Sequence, residues 1–378
     1  MEKRRIPGGK PSFPAEDVEK MTADFREIIT SGAFIKGKHV TALETDFAKY
    51  VGAKYAVTCN SATTALQMLY QYYDVKGKEV IVQNNTFLST AYAVLYAGGT
   101  PVFTDTDPRY LSAGLKEIEA RVTEKTRGVA LVHVAGHIHP DIQLIKDFCK
   151  KKNLFLIEDA SHAHGSSIDG RKAGVLADAA CFSFYPTKVM TTAMGGIITT
   201  DDEKLIAYVK SVREHGNENG LTNIVRLGNQ WLMTEPHALI GVYGLKNLDA
   251  WVKRRNEIAK KYTELLKDVP EVRPILPAGG TVSAYYKYLF VLDKGIDREK
   301  VQKHLKEQCT IDAGDLYWPT CHAQPLMRTT LHTKDADYPQ TMDVMPRMLT
   351  LPIYVTLSDD DIAYVIRSLK EAIASARR

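Results

Sequence analysis

The sequence predicts an α/β protein with a mostly parallel central sheet flanked by helices, followed by a smaller C-terminal α+β domain. Three observations lead there. Short apolar runs recur at Tyr55–Cys59, Glu79–Val82, Pro101–Thr104, Gly128–Val134, Leu154–Ile157, Ala179–Phe184 and Gly196–Thr200. Helical patterns such as Leu115–Val122 and Ile142–Lys151 lie between several of them. The rhythm stops near Thr200, and three prolines with a Gly-Gly pair fall between Pro270 and Gly280.

In chain order, residues 1 to about 14 read as an extended arm. Ala15 to Thr30 is helical by pattern, with Val18, Met21, Phe25, Ile28 and Ile29 on one side. A second amphipathic helix carries Val40, Leu43, Phe47 and Val51 and stops at Gly52. The alternating strands and helices follow. A helix from Asp201 to His215 leads into a Gly- and Asn-rich loop, and Met233 to about Leu266 reads as long helices. The last part holds an alternating strand at Tyr286–Val291, a helix at Arg298–Gln308 and a final helix from Asp359 to about Ser375. Asp359 and Asp360 suit that helix's start and Arg377–Arg378 its end. The expected division is a large domain with its N-terminal arm at 1–248 and a smaller domain at 249–378.

Length and composition agree with this. The chain has 378 residues, 44% hydrophobic and 25% charged, enough for a large core. A net charge of +4 without a basic stripe argues against nucleic-acid binding. Five scattered cysteines with no CxxC suggest neither a disulfide framework nor a zinc site. The basic start runs into Pro7-Gly8-Gly9 instead of an apolar segment, and no apolar run is long enough to span a bilayer. The expectation is a cytoplasmic protein with no membrane partner.

Candidate chemistry sits where strands end, which in such sheets is where ligands bind. Cys181-Phe182-Ser183-Phe184-Tyr185-Pro186-Thr187-Lys188 ends in a turn and a lysine. Apolar neighbours disfavour the charged amine, and a neutral amine can form a Schiff base. Asn60-Ser61-Ala62-Thr63-Thr64 opens a helix, where small residues let backbone N–H groups approach an anion. Leu156-Ile157-Glu158-Asp159 delivers a carboxylate to a strand end. At ~4 Å and an effective dielectric near 20, a carboxylate holds a ring N–H⁺ by roughly 4 kcal/mol, or about three pKa units. Phe87 follows another strand and can stack on a flat ring. Each has a bland reading: a loop lysine, an N-cap, a capping aspartate, a core aromatic. His133, His137, His139, His162 and His164 also raise a metal site, but their spacing matches no metal signature, and no metal is expected.

Together these parts are the set that pyridoxal phosphate needs. Ser61-Ala62-Thr63, Thr86-Phe87, Glu158 to Gly165 and Ser183 to Lys188 resemble the DegT/DnrJ/EryC1/StrS aminotransferases. The resemblance runs from about Pro11 to Ala372 and includes Ser31–Gly37 and His322-Ala323-Gln324-Pro325. It implies a fold-type-I enzyme that moves an amino group from an amino acid, L-glutamate by resemblance, to a keto sugar, often nucleotide-linked. A cyclitol or a small keto-phosphate is a second acceptor class. It implies Lys188 as the Schiff-base lysine, Asp159 on the pyridine nitrogen, His162 near the ring hydroxyl and Phe87 on the ring. Ala62, Thr63 and Ser183 would hold the phosphate. Gln230 would reach the neighbour's cofactor across a homodimer with shared active sites. Lys36, His322, Tyr317, Trp318 and Arg226 are candidate substrate contacts. Three departures stand out: Gln230 where the family usually has Asn, Leu232 where it often has Arg, and Met194 where it commonly has Glu. Related dehydratases carry His at the position of Lys188, so the lysine argues against that reaction. A regulatory protein on the same fold is the reading of a different class.

Overall fold

The computed structural model describes residues 4–220 and 222–377. The basic start at 1–3 and the final arginine lie outside the described residues. Two helices come first, α1 (Ala15–Ser31) and α2 (Lys38–Val51); each ends on a glycine with positive φ, Gly32 and Gly52. Then β1 (Tyr55–Cys59), α3 (Ala62–Tyr72), β2 (Glu79–Gln83), α4 (Ser89–Tyr96), β3 (Thr100–Thr104), α5 (Leu115–Glu119), β4 (Thr126–Val132), α6 (Ile142–Lys151) and β5 (Phe155–Asp159) alternate. The short strands β6 (Ser167–Ile168) and β7 (Arg171–Lys172) precede β8 (Ala179–Ser183), β9 (Gly196–Thr200), α7 (Glu203–Val212) and α8 (Glu235–Leu265). After them come β10 (Val272–Pro274), β11 (Thr281–Val282), β12 (Tyr288–Leu292), α9 (Arg298–Glu307), α10 (Pro325–Leu331), α11 (Pro339–Val344), β13 (Met348–Leu351) and α12 (Asp359–Ser375).

The main sheet has seven strands in the order β1-β9-β8-β5-β4-β2-β3. Its pairings are parallel except the two that β9 makes, to β1 and to β8. Its strands are buried on both faces, which is why they read as continuous apolar runs. A smaller antiparallel sheet, β10-β12-β13, is backed by α9 and α12.

Two details depart from the expected division. The position 248/249 falls inside α8, a single unbroken helix of 31 residues. Ala238, Leu248 and Val252 belong to the core under the large sheet, and Ile258, Ala259 and Tyr262 to that of the small one. The arm, in turn, packs on the C-terminal part. Ile6 is buried in the small core and donates its N–H to Thr310 at 3.0 Å, and its carbonyl accepts from Asp312 at 2.9 Å. The expected strand at Tyr286 begins two residues later, because Tyr285 has φ of 43° and Tyr286 is turned out of the ladder.

Candidate active site

A cavity of about 420 Å³ opens at the carboxyl ends of the parallel strands, with Ala62, Thr63, Phe87, Asp159, His162, Ser183 and Lys188 on its walls. Ser61, Thr86, Ser161, Tyr185, Thr187, Met194, Tyr286 and Tyr317 complete most of the lining. Seven of the residues expected from sequence to hold the cofactor or do the chemistry therefore meet in one place.

At one wall α3 begins. Ser61 caps it, its Oγ accepting from Thr64 N–H at 3.2 Å. The N–H groups of Ala62 and Thr63 find no protein acceptor among the described residues. Gly196 of β9 lies so close that a Cβ there would meet the Ser61 carbonyl carbon at 2.5 Å and the Ala62 nitrogen at 2.7 Å. A helix start with free donors is an anion site.

Asp159 ends β5 and is 4% exposed. One oxygen accepts from Thr90 Oγ at 2.8 Å, and the other from Ser161 N–H at 3.2 Å. Neighbouring Glu158 points the other way. It is fully buried and takes N–H bonds from Gly174, Leu176 and Ala177 and a contact with His133 Nε2 at 2.9 Å. The alternation of the strand thus sends one carboxylate to the cavity and the other into the core.

Lys188 is half-buried at the cavity floor, with its amine 4.7 Å from the Tyr286 ring centre. Burial pulls its pKa down to about 8, against the opposing pull of Asp159. His162 lies stacked on Tyr286 at 4.4 Å. Its Nδ1 accepts from Ala135 N–H at 3.2 Å, which puts the ring proton on Nε2; that nitrogen donates to Tyr317 Oη at 2.7 Å. Burial, with Lys188 second, holds His162 well below the usual histidine pKa, so it stays neutral. Phe87 is 59% exposed on the cavity wall, an apolar ring with a free face. Met194 is also exposed there, after Ala193 at φ 66°.

Tyr317, an expected substrate contact, lines the cavity, whereas His322, Lys36 and Gln230 lie elsewhere. His322 is fully buried and outside the lining, so the substrate contact expected of it does not fit. Its Nδ1 meets the Asn84 side chain at 2.7 Å, its Nε2 meets Asp335 at 3.1 Å, and it locks the segment after Trp318 to the end of β2. Lys36 and Gln230 lie away from the cavity, near Glu214: Lys36 forms an ion pair with it and Gln230 a β-bridge. His133, His137 and His162 go to separate partners, Glu158, Ser283 and Tyr317, and among the described residues no three ligand-type side chains converge. Thr90 and Tyr286 were missed. Thr90 follows a helix cap signal with nothing to mark its partner, and Tyr286 reads as one more strand aromatic.

The arrangement can hold an anion at α3, seat a flat ring beside Phe87, offer Asp159 to a ring N–H, and present a reactive amine at Lys188. Comparison with known proteins agrees. Residues 15–370 match the DegT/DnrJ/EryC1/StrS aminotransferase family. The spore coat polysaccharide biosynthesis protein SpsC of Bacillus subtilis is 33% identical, covering 98% of each chain. GDP-perosamine synthase of Caulobacter vibrioides is 32% identical over 89% of this chain and 91% of its own. The structure of Helicobacter pylori PseC, an aminotransferase of pseudoaminic acid biosynthesis, superimposes with a TM-score of 0.92 at 25% identity, covering 98% of this chain and all of that one. With that match over nearly its whole length and this fold, the chain belongs to the DegT/DnrJ/EryC1/StrS aminotransferase family.

Proposed function

We propose that this aminotransferase uses pyridoxal phosphate to move an amino group from an amino acid, L-glutamate, to the keto group of a nucleotide-linked sugar. The observation that carries the reading is that Lys188 and Asp159 open on the same cavity as the free face of Phe87 and the unpartnered N–H groups of α3. Those features suit a flat, phosphorylated ring with a basic nitrogen. When bound, the cofactor supplies a carbonyl that takes up amines and a ring that draws in electrons.

The protein's own groups do the rest. Ala62 and Thr63 at the start of α3 and Ser183 at the end of β8 would hold the phosphate, and Phe87 would stack on the ring. Asp159, itself held by Thr90, keeps a proton on the ring nitrogen. Lys188 Nζ would be the amine that holds the cofactor's carbonyl carbon, and when freed it would serve as the base that carries a proton to and from the substrate carbon that bears nitrogen. His162 stays neutral and fixes Tyr317 rather than titrating. Gln230 and Lys36 lie outside their own cavity and serve the site of a second copy in a homodimer. Names of relatives that concern polysaccharide and perosamine synthesis favour a sugar acceptor over a cyclitol.

The test is direct. Purified protein mixed with pyridoxal phosphate should gain a visible band that borohydride bleaches, with the mass tag on the Lys188 peptide. Glutamate should then load the enzyme with nitrogen, and a panel of nucleotide-linked 4-keto sugars, free inososes and keto-phosphates should discharge it selectively. Labelling of another lysine, or a Lys188→Ala protein with normal turnover, would refute the reading.

A further inference from the structure

A second amine stands beside Lys188 with no job in the reaction above. Lys287 follows Tyr286, and its Nζ lies 5.4 Å from the centre of the same ring that Lys188 Nζ approaches at 4.7 Å. Two ammonium groups thus share one tyrosine, no more than about 10 Å apart. Lys287 is half-buried, and its one hydrogen bond is to the Gly8 carbonyl of the N-terminal arm at 2.8 Å. Among the described residues no carboxylate lies within ion-pair distance of it. Arg255 of α8 is a third cation, lining a small cavity with Lys188; it is buried and donates to the carbonyls of Tyr285 and Ile353, not to an acid.

We propose that Lys287 is an electrostatic positioning residue for Lys188: its charge, docked by the arm against Tyr286, disfavours a second charge on Lys188 and so keeps more of that amine nucleophilic. This rests on the reading of Lys188 as the reacting amine. The charged and titratable groups facing Lys188 are Asp159 and Cys181 from the strands, His162 and His164 from the loop after β5, Tyr185 from its own turn, Tyr286 and Lys287 before β12, Tyr317, Arg255 of α8 and Lys10 of the arm. Asp159 opposes the effect, and the two histidines are neutral and leave it unchanged. Asp312 is the acid that favours charge on Lys287. Burial brings Lys287 itself to about 8, so the two amines titrate as a coupled pair and the effect is largest below that pH.

The test needs no cofactor. Full-length protein is stripped with hydroxylamine, dialysed, and methylated with formaldehyde and cyanoborohydride at pH 6 to 10. The extent at Lys188 is read by mass spectrometry. Lys287→Gln keeps a donor for Gly8 and loses the charge; Lys287→Met removes both; Lys287→Arg keeps the charge. The midpoint for Lys188 should rise by about half a unit in the Gln and Met proteins, a roughly threefold slower reaction at pH 7. The Arg protein should keep the wild-type midpoint or fall below it. An unmoved midpoint in both neutral variants overturns the proposal, as does an equal rise in the Arg protein, which would mark a packing role. The borohydride tag on Lys188 reports separately on the reading beneath it.

Discussion

At the scale of single residues, the site depends on Lys188 and Asp159, which open on one cavity. Lys188 is pulled towards neutrality by burial, to about 8. Its reactivity therefore has a defined pH dependence. Below that value the amine is charged and inert; at pH 7 roughly a tenth is neutral. Capture of pyridoxal phosphate by cofactor-free protein should speed up about tenfold from pH 6 to 7 and level off above about 9. Stopped-flow absorbance measures this, and a flat profile would contradict it. Linkage has the same sign: the folded chain binds fewer protons here than the unfolded one, so cofactor-free protein should gain stability as pH rises from about 8 towards the ordinary lysine range. Asp159 takes its short side-chain hydrogen bond from Thr90, with the Cys181 thiol at 4.0 Å on its other oxygen. Thr90→Val removes the 2.8 Å bond, and should cost about 1–2 kcal/mol of stability and roughly tenfold in kcat, read by thermal melts and donor half-reaction rates. That Asp159 would reach a strand end was legible, because an apolar run stopping at an acid is a plain signal. Its partner Thr90 was not, since a hydroxyl 69 residues away leaves no mark in spacing.

At the scale of elements, the close approach of β9 to α3 shapes the anion cradle. A methyl group at Gly196 would strike the Ser61–Ala62 peptide, and backbone cannot step aside as a side chain does. Gly196→Ala should cost about 1–3 kcal/mol and weaken pyridoxal phosphate binding several-fold, measured by denaturant melts and fluorescence titration. The start of α2 is tied down in a similar way. Glu235, buried at the start of α8, accepts from the N–H groups of Gly37, His39 and Val40 at 2.8, 2.8 and 3.1 Å. Glu235→Gln keeps one acceptor, and should lose about 1–3 kcal/mol in a melt. Strand positions were readable because buried parallel strands are unbroken apolar runs. The direction of β9 was not, since its five residues look the same either way round. His322 fell on the wrong side of the reading for a related reason: a motif fixes which residues are present, and burial decides which of them a ligand can reach.

For the whole molecule, the surface around Lys36 and Gln230 is the informative region. Phe34, Ile35 and Leu227 flank them in sequence and are 49%, 47% and 96% exposed. Apolar side chains so exposed are what a subunit interface would cover. Sedimentation should show a dimer, and Leu227→Glu with Ile35→Glu should shift it towards monomer while lowering activity. Normal turnover by a monomer would exclude a contribution from the second copy.

The long helix α8 has a mechanical meaning. It threads the cores under both sheets without a break and spans about 46 Å. An axle of that kind does not fold like an elbow. A hinge at residue 248 would have to break that helix, so the proposed bulky acceptor would be admitted by motion of the rim: the stretch carrying Met194 and the aromatic pair at 286 and 317.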